Sequence, residues 1–123
     1  MLEPARSIEF FYKLSEPQSV APGEVIFKQG ETGEVMYGIL EGEVELWVND
    51  KVAEVIRAGD VFGEGALVQD ERNRASTAIA RTSCRLVFVD RERFLFLIQE
   101  TPLFALQIIR SFSTRLRQLK QKF

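Results

Sequence analysis

Phe62-Gly63-Glu64-Gly65-Ala66-Leu67, followed after six intervening residues by Arg74-Ala75-Ser76-Thr77, is the stretch on which the reading of this 123-residue chain turns. Gly63 and Gly65 carry no Cβ, so the backbone there can direct its N–H groups at an anion in a way most residues cannot. Arg74 offers a planar fork of donors that matches two phosphate oxygens, and the Glu64 carboxylate can accept from a sugar hydroxyl. The segment can therefore hold both halves of a sugar phosphate. The competing reading is a plain Gly-Glu-Gly turn beside a surface Glu64–Arg74 ion pair, which contributes about 0 to 1 kcal/mol.

The flanking patterns decide between them. All eight glycines fall between Gly23 and Gly65, and residues 90–123 contain none, which separates a turn-rich part from a helical part. Val25 and Phe27 alternate with polar neighbours, as do Val44, Leu46 and Val48, the period-two pattern of half-buried strands. Pro22-Gly23, Gly30 to Gly33, Asn49-Asp50 and Ala58-Gly59-Asp60 punctuate them as turns. Ala78 to Ala80 and Arg85 to Val89 supply closing strands. Many short strands with tight turns point to an antiparallel β-roll or jelly roll, with no room for a second domain.

Helical signals begin at Asp90, a good N-cap, with Phe94, Leu97 and Ile98 on one face. Thr101-Pro102 restarts the pattern, threonine as cap and proline at the first helical position. Ile109, Phe112, Leu116, Leu119 and Phe123 then follow at spacings of 3, 4, 3 and 4, the seam of a short coiled coil, which predicts a homodimer. The alternative is a helix lying on its own roll. Residues 1–20 read as an N-terminal helical segment built on Ile8, Phe11 and Tyr12. The roll is expected over 21–89, with its phosphate-binding cassette at 62–77, and the terminal helices over 90–123.

Composition narrows the chemistry. There is no histidine, which removes the usual Ser-His and Cys-His nucleophile pairs and the commonest metal ligand, so neither a catalytic residue nor a metal site is expected. The same absence disfavours a cupin-type metalloenzyme, which shares the rolled architecture. Cys84 is the only cysteine; it excludes an internal disulfide and reads as a packed core thiol. No apolar run exceeds Phe94 to Ile98, too short to span a membrane, and the N-terminus lacks the apolar core of a secretory signal, so a cytoplasmic location is expected. Residues 1–89 hold 9 basic and 15 acidic groups and residues 90–123 hold 7 and 3. Arg110, Arg115, Arg117, Lys120 and Lys122 read as a solvated helix face, without the aromatic interleaving of a nucleic-acid surface.

In combination, these segments resemble the cyclic nucleotide-binding domain family, shared by the bacterial catabolite activator protein, the regulatory subunits of cyclic-nucleotide-dependent kinases and cyclic-nucleotide-gated channels. Pro22 to Phe27, Gly30 to Gly33, Tyr37 to Val44 and Gly59 to Thr77 resemble the family's strands, turns and cassette in the right order. The resemblance implies a mainly β fold, an antiparallel roll followed by two helices of which the last is long. It also implies a cyclic phosphate bound by Arg74 and by the N–H groups of Gly63, Gly65 and Ala66, a ribose bound by Glu64, and Ala75 and Ser76 at the cassette's end.

In the family a residue other than threonine directly after the arginine tends to go with cyclic AMP rather than cyclic GMP; here it is Ala75. Leu119 and Lys120 stand where the catabolite activator protein offers hydroxyl side chains to the purine, and are the expected purine lid. Gly65 replaces a larger apolar residue, which implies looser packing beneath the sugar. The sequence ends before a helix-turn-helix module, so specific DNA binding is not expected. The resulting expectation is a non-enzymatic cyclic nucleotide sensor, with no cofactor, that signals to a separate effector protein through its terminal helices. The alternative is a degenerate fold without ligand that acts as a dimerising adaptor.

Overall fold

Strand alternation, glycine turns and helical patterns give a chain that folds in the order α1 (Pro4–Phe11), β1 (Gln18–Val20), β2 (Val25–Phe27), β3 (Val35–Glu41), β4 (Glu43–Val48), β5 (Lys51–Arg57), β6 (Val61–Phe62), α2 (Gly65–Val68), β7 (Thr77–Ala80), β8 (Cys84–Asp90), α3 (Arg91–Glu100) and α4 (Pro102–Lys120). This is a computed structural model, and it describes residues 3–13 and 16–123. The strands form two antiparallel four-stranded sheets, ordered β1-β8-β3-β6 and β2-β7-β4-β5. The expected β-roll with flanking helices is the architecture found.

Two apolar clusters hold it. Val20, Phe27, Ile39, Val44, Leu46, Ile56, Phe62, Ala78, Cys84 and Leu86 fill the space between the sheets. Ala5, Ile8, Met36, Leu40, Val61, Leu67, Val87, Val89, Phe94, Leu97 and Phe104 form a second core between the β8-β3 face and the helices. Met36 and Leu40 of β3 and Val87 and Val89 of β8 face the second core, while Ile39, Cys84 and Leu86 face the first, so alternate side chains of these two strands serve different cores. Burial of one such aliphatic or aromatic side chain stabilises the fold by about 1.5 to 3 kcal/mol.

The ends of elements follow local chemistry. Asn49 and Asp50, at φ 47° and 68°, close the β4–β5 hairpin in the left-handed pair that matches strand twist. Asp90 caps α3 by accepting from the N–H of Arg93 at 2.9 Å. Thr101 does not cap α4 through its side chain, contrary to the sequence reading. Its N–H already closes α3 on the Leu97 carbonyl at 2.9 Å, and its own carbonyl accepts from Phe104 at 2.9 Å, so the join is made by backbone with Pro102 beyond it.

Three further expectations shift. The N-terminal helix ends at Phe11, and residues 18–20, expected as part of a helical segment, form strand β1 against Cys84–Leu86, where Val20 completes the inter-sheet core. A three-residue strand is too short to show a period. Val25 is exposed although Phe27 is buried, because the pairing of β2 with β7 shifts register between them. Val48 is exposed at the hairpin end. Ser7 on α1 donates to Gln107 on α4 at 2.7 Å, which ties the first helix to the last. No helix of the described residues is long and apolar enough to cross a membrane.

Candidate functional site

The short strand β6 delivers Phe62 into the core, where its ring stacks on Tyr37 at 5.3 Å. The chain then turns at Gly63, φ +81°, where a Cβ would lie 2.8 Å from Nη1 of Arg74. Two separate demands, backbone conformation and space, therefore fall on Gly63. Gly65 differs: it has ordinary helical backbone, and a Cβ there would meet only Gln69 at 3.8 Å. The sequence reading gave both glycines the same role, and the structure requires the absent side chain only at Gly63.

Glu64 stands at the head of α2, with helical angles and no side-chain cap bond. Its carbonyl accepts from the N–H groups of Leu67 at 2.8 Å and Val68 at 3.2 Å. The N–H groups of Gly65 and Ala66 have no backbone partner among the described residues, as expected of a first helical turn. Ala66 and Leu67 are buried, and Leu67 belongs to the core under the helices.

Arg74 is placed by backbone pairing with the turn before β3. Its N–H donates to the Glu31 carbonyl at 2.7 Å, its carbonyl accepts from Gly30 at 2.8 Å, and Gly33 donates to Arg72 at 2.8 Å. The residue is only 7% exposed. Its guanidinium lies over the Phe27 ring at 4.1 Å, donates from Nη1 to the Gly63 carbonyl at 2.9 Å and from Nη2 to the Val35 carbonyl at 2.8 Å. Gly33 makes room for it, since a Cβ there would sit 2.3 Å from Nε. Burial pushes the Arg74 guanidinium below its ordinary pKa, and Tyr37, Glu64 and Glu31 push it back. Burial likewise raises Tyr37, with Arg74 opposing.

The surface ion pair of Glu64 with Arg74 is not formed: no such bridge occurs among the described residues, and Arg74 is buried. Instead, Gly63, Glu64, Gly65, Ala66, Arg74, Ala75 and Ser76 all line one cavity of about 500 Å³. Phe112, Arg115, Leu116 and Leu119 of α4 line it as well. Of the expected purine lid, Leu119 lies on this cavity, while Lys120 is exposed and does not line it. The apolar seam of α4 is divided: Phe112, Leu116 and Leu119 reach the cavity, whereas Ile109 and Phe123 project into solvent.

Arg115 is the residue the sequence reading misplaced. It is buried rather than solvated, donating from Nε to Glu54 Oε1 at 2.8 Å and from Nη1 to the Val61 carbonyl at 2.9 Å. Its spacing of four from Ser111 and eleven from Phe104 put it on the helix's inner face and could have signalled this. Nothing in the sequence marks Gly33, Phe27, Val35 or Tyr37 as neighbours of Arg74, because only the rolled topology brings them there. Cys84 is buried, its thiol donating to the Glu43 carbonyl at 3.3 Å, and no group of three metal-ligating side chains occurs among the described residues.

The sequence profile of the cyclic nucleotide-binding domain matches residues 17–101. The chain belongs to the cyclic nucleotide-binding domain family. Its domain is 44% identical over 69 residues to a cGMP-dependent protein kinase of Plasmodium berghei, a match covering 54% of this chain and 8% of the kinase. It is 30% identical over 117 residues to the cyclic AMP receptor protein of Thermus thermophilus, covering 91% of this chain and 52% of that protein. The crystal structure of the Thermus thermophilus catabolite activator protein superposes on this cyclic nucleotide-binding domain with a TM-score of 0.77 at 26% identity, covering 95% of this chain and 57% of that one. The chain therefore spans about half the length of one relative and under a tenth of the other.

Proposed function

We propose that this domain is a non-enzymatic sensor that binds cyclic AMP in the cavity between α2, the Asn73–Ser76 segment, the β4–β5 strands and α4, and signals occupancy through its terminal helices. The observation that carries the reading is the convergence of Glu64, Arg74 and the free N–H groups of Gly65 and Ala66 on one cavity. Arg74 uses two of its five donors on the carbonyls of Gly63 and Val35 and keeps three for an anion. Its burial has already removed most of its water, so a phosphate placed against it meets a charge that needs compensation. Glu64 would accept from the ribose hydroxyl. Leu116 and Leu119 would cover the purine.

The choice of cyclic AMP rests on Ala75, which lines the cavity without a hydroxyl for guanine. Signalling rests on α4, which carries part of the cavity wall and is joined to α1 by Ser7–Gln107 and to α3 by the edge-on rings of Phe94 and Phe104. Two positions of α4 with different ligand affinity would shift in population on binding. The exposed Ile109 and Phe123 beside Leu116 support a homodimer through α4.

The adaptor reading gains one point. Arg74 has carbonyl partners without any ligand, so its burial alone does not demand one. Glu64, with no ion pair or side-chain hydrogen bond among the described residues, is what favours the sensor. Calorimetric titration of nucleotide-stripped protein with cyclic AMP and cyclic GMP decides between the two. Micromolar or tighter binding, stronger for cyclic AMP, is expected, and silence toward both leaves the adaptor.

A further inference from the structure

Ser111 and Arg115, one turn apart on the inner face of α4, reach to the segment that leads into the cassette. Ser111 Oγ hydrogen-bonds Asp60 Oδ1. Arg115 makes a forked contact with Glu54, Nε to Oε1 at 2.8 Å and Nη2 to Oε2 at 3.3 Å, and adds the Val61 carbonyl at 2.9 Å. Its guanidinium also lies over the Phe112 ring at 4.6 Å. The Arg115 and Glu54 side chains are 10% and 23% exposed, and every other ion pair among the described residues is more open to water. Beyond this point α4 has little else to hold it, since Leu116 is half exposed and Leu119 lies at the margin.

Arg115 and Glu54 line the candidate nucleotide cavity, and both also line a second hollow of about 460 Å³ beyond it. The pair, with Ala53 and Leu119, forms the wall shared by the two spaces. Removing it would let the end of α4 lift and open one into the other. Val61 is followed by Phe62 and then Gly63, so the same guanidinium fixes α4 relative to the strand that sets the cassette's first turn.

We propose that Arg115 is a positioning residue: clamped by Glu54 and the Val61 carbonyl, it holds α4 at the height that closes the nucleotide cavity. It acts through α4 and β6 and not by a contact with ligand. This rests on the reading of the cavity as a cyclic nucleotide site, but the clamp has a consequence that needs no ligand, because it fixes the distance from α4 to the roll.

The test uses both. Spin labels at Arg117→Cys and Lys51→Cys, with Cys84 buried and out of reach, and with excess unlabelled protein to suppress signals between chains, report that distance in ligand-free protein. A narrow distribution is expected with the clamp intact, a broad one in Arg115→Met, and an intermediate one in Glu54→Gln, which keeps one acceptor oxygen for Arg115 but loses the charge and the second acceptor. Titration with cyclic AMP should show binding weakened about tenfold in Arg115→Met and in Glu54→Leu, and no further in the double variant, because the two groups act as a unit. Glu54→Gln also serves if Arg115→Met does not fold. Equal, narrow distances in all variants overturn the clamp, as does weakening by Arg115→Met with Glu54→Leu binding normally, which would mean Arg115 touches the ligand. If the distances respond as stated but wild type binds no cyclic nucleotide, the site reading falls, and with it the claim that the clamp serves a nucleotide.

Discussion

The Gly63 carbonyl accepts from Nη1 of Arg74 at 2.9 Å, so the turn that opens the cassette and the arginine that closes it are joined before any ligand arrives. The arginine has two roles, one toward the protein and one toward an anion, and substitutions can separate them.

Arg74→Ala should weaken cyclic nucleotide binding by about ten- to a hundredfold or more, since a charge-assisted hydrogen bond contributes roughly 1.5 to 3 kcal/mol. It should also lower stability by about 1 to 3 kcal/mol, through two carbonyls left without donors beside Phe27. Arg72→Ala, at an exposed position, should do neither. Calorimetry with thermal unfolding reads both effects, and a normal affinity in Arg74→Ala would move the phosphate elsewhere.

The two cassette glycines should part company. Gly63→Ala places a Cβ at φ +81° and against the guanidinium, so it should cost about 1 to 3 kcal/mol of stability and displace Arg74. Gly65→Ala meets ordinary contacts and should be neutral or slightly stabilising, by up to about 1 kcal/mol, as alanine is the better helix former. Chemical denaturation of both variants is sufficient; a reversed order contradicts the geometry.

Alkaline pH should destabilise the fold. Burial raises the Cys84 thiol, and burial raises the Tyr37 phenol, so in both cases the unfolded chain releases its proton first. Their stabilising effect is complete below the unfolded thiol value, about 8.5, and declines as pH rises past it and past the phenol's value of about 10. Urea midpoints between pH 7 and pH 10.5 should fall, and Cys84→Ser should remove the earlier part of the decline. A flat profile refutes the assignment.

Assembly and ligand closure can be separated along α4. Ile109 is exposed and does not line the cavity, whereas Leu116 does. Ile109→Glu should dissociate a homodimer while leaving each chain's pocket lining intact; Leu116→Glu should both dissociate it and weaken nucleotide binding. Light scattering gives the mass. A wild-type mass of one chain at tens of micromolar would falsify the dimer.

Much of this was legible in the residues because local chemistry sufficed. The Asn49-Asp50 turn, the Asp90 cap and the burial of Phe94 and Leu97 each follow from a few neighbouring positions. The cassette's residues were legible by order and spacing. What surrounds Arg74 was not, since Phe27, Gly33, Val35 and Tyr37 reach it only through pairings set by the whole roll. Arg115 was hidden for another reason. A charged residue on a terminal helix reads as solvated unless its partner is known, and Glu54 lies 61 positions away.

The sheet of β1, β8, β3 and β6 has cores against both faces, so β3 and β8 have little neutral ground for sequence change. The other sheet is different: Glu43, Glu45, Trp47, Thr77 and Ile79 alternate with its core residues and remain partly open to water. Drift, engineered labels and new recognition surfaces should accumulate there. Members of one lineage would then differ most on the face farthest from the wall between the two cores, and a library randomised on that face should retain its fold where one randomised on β8 would not.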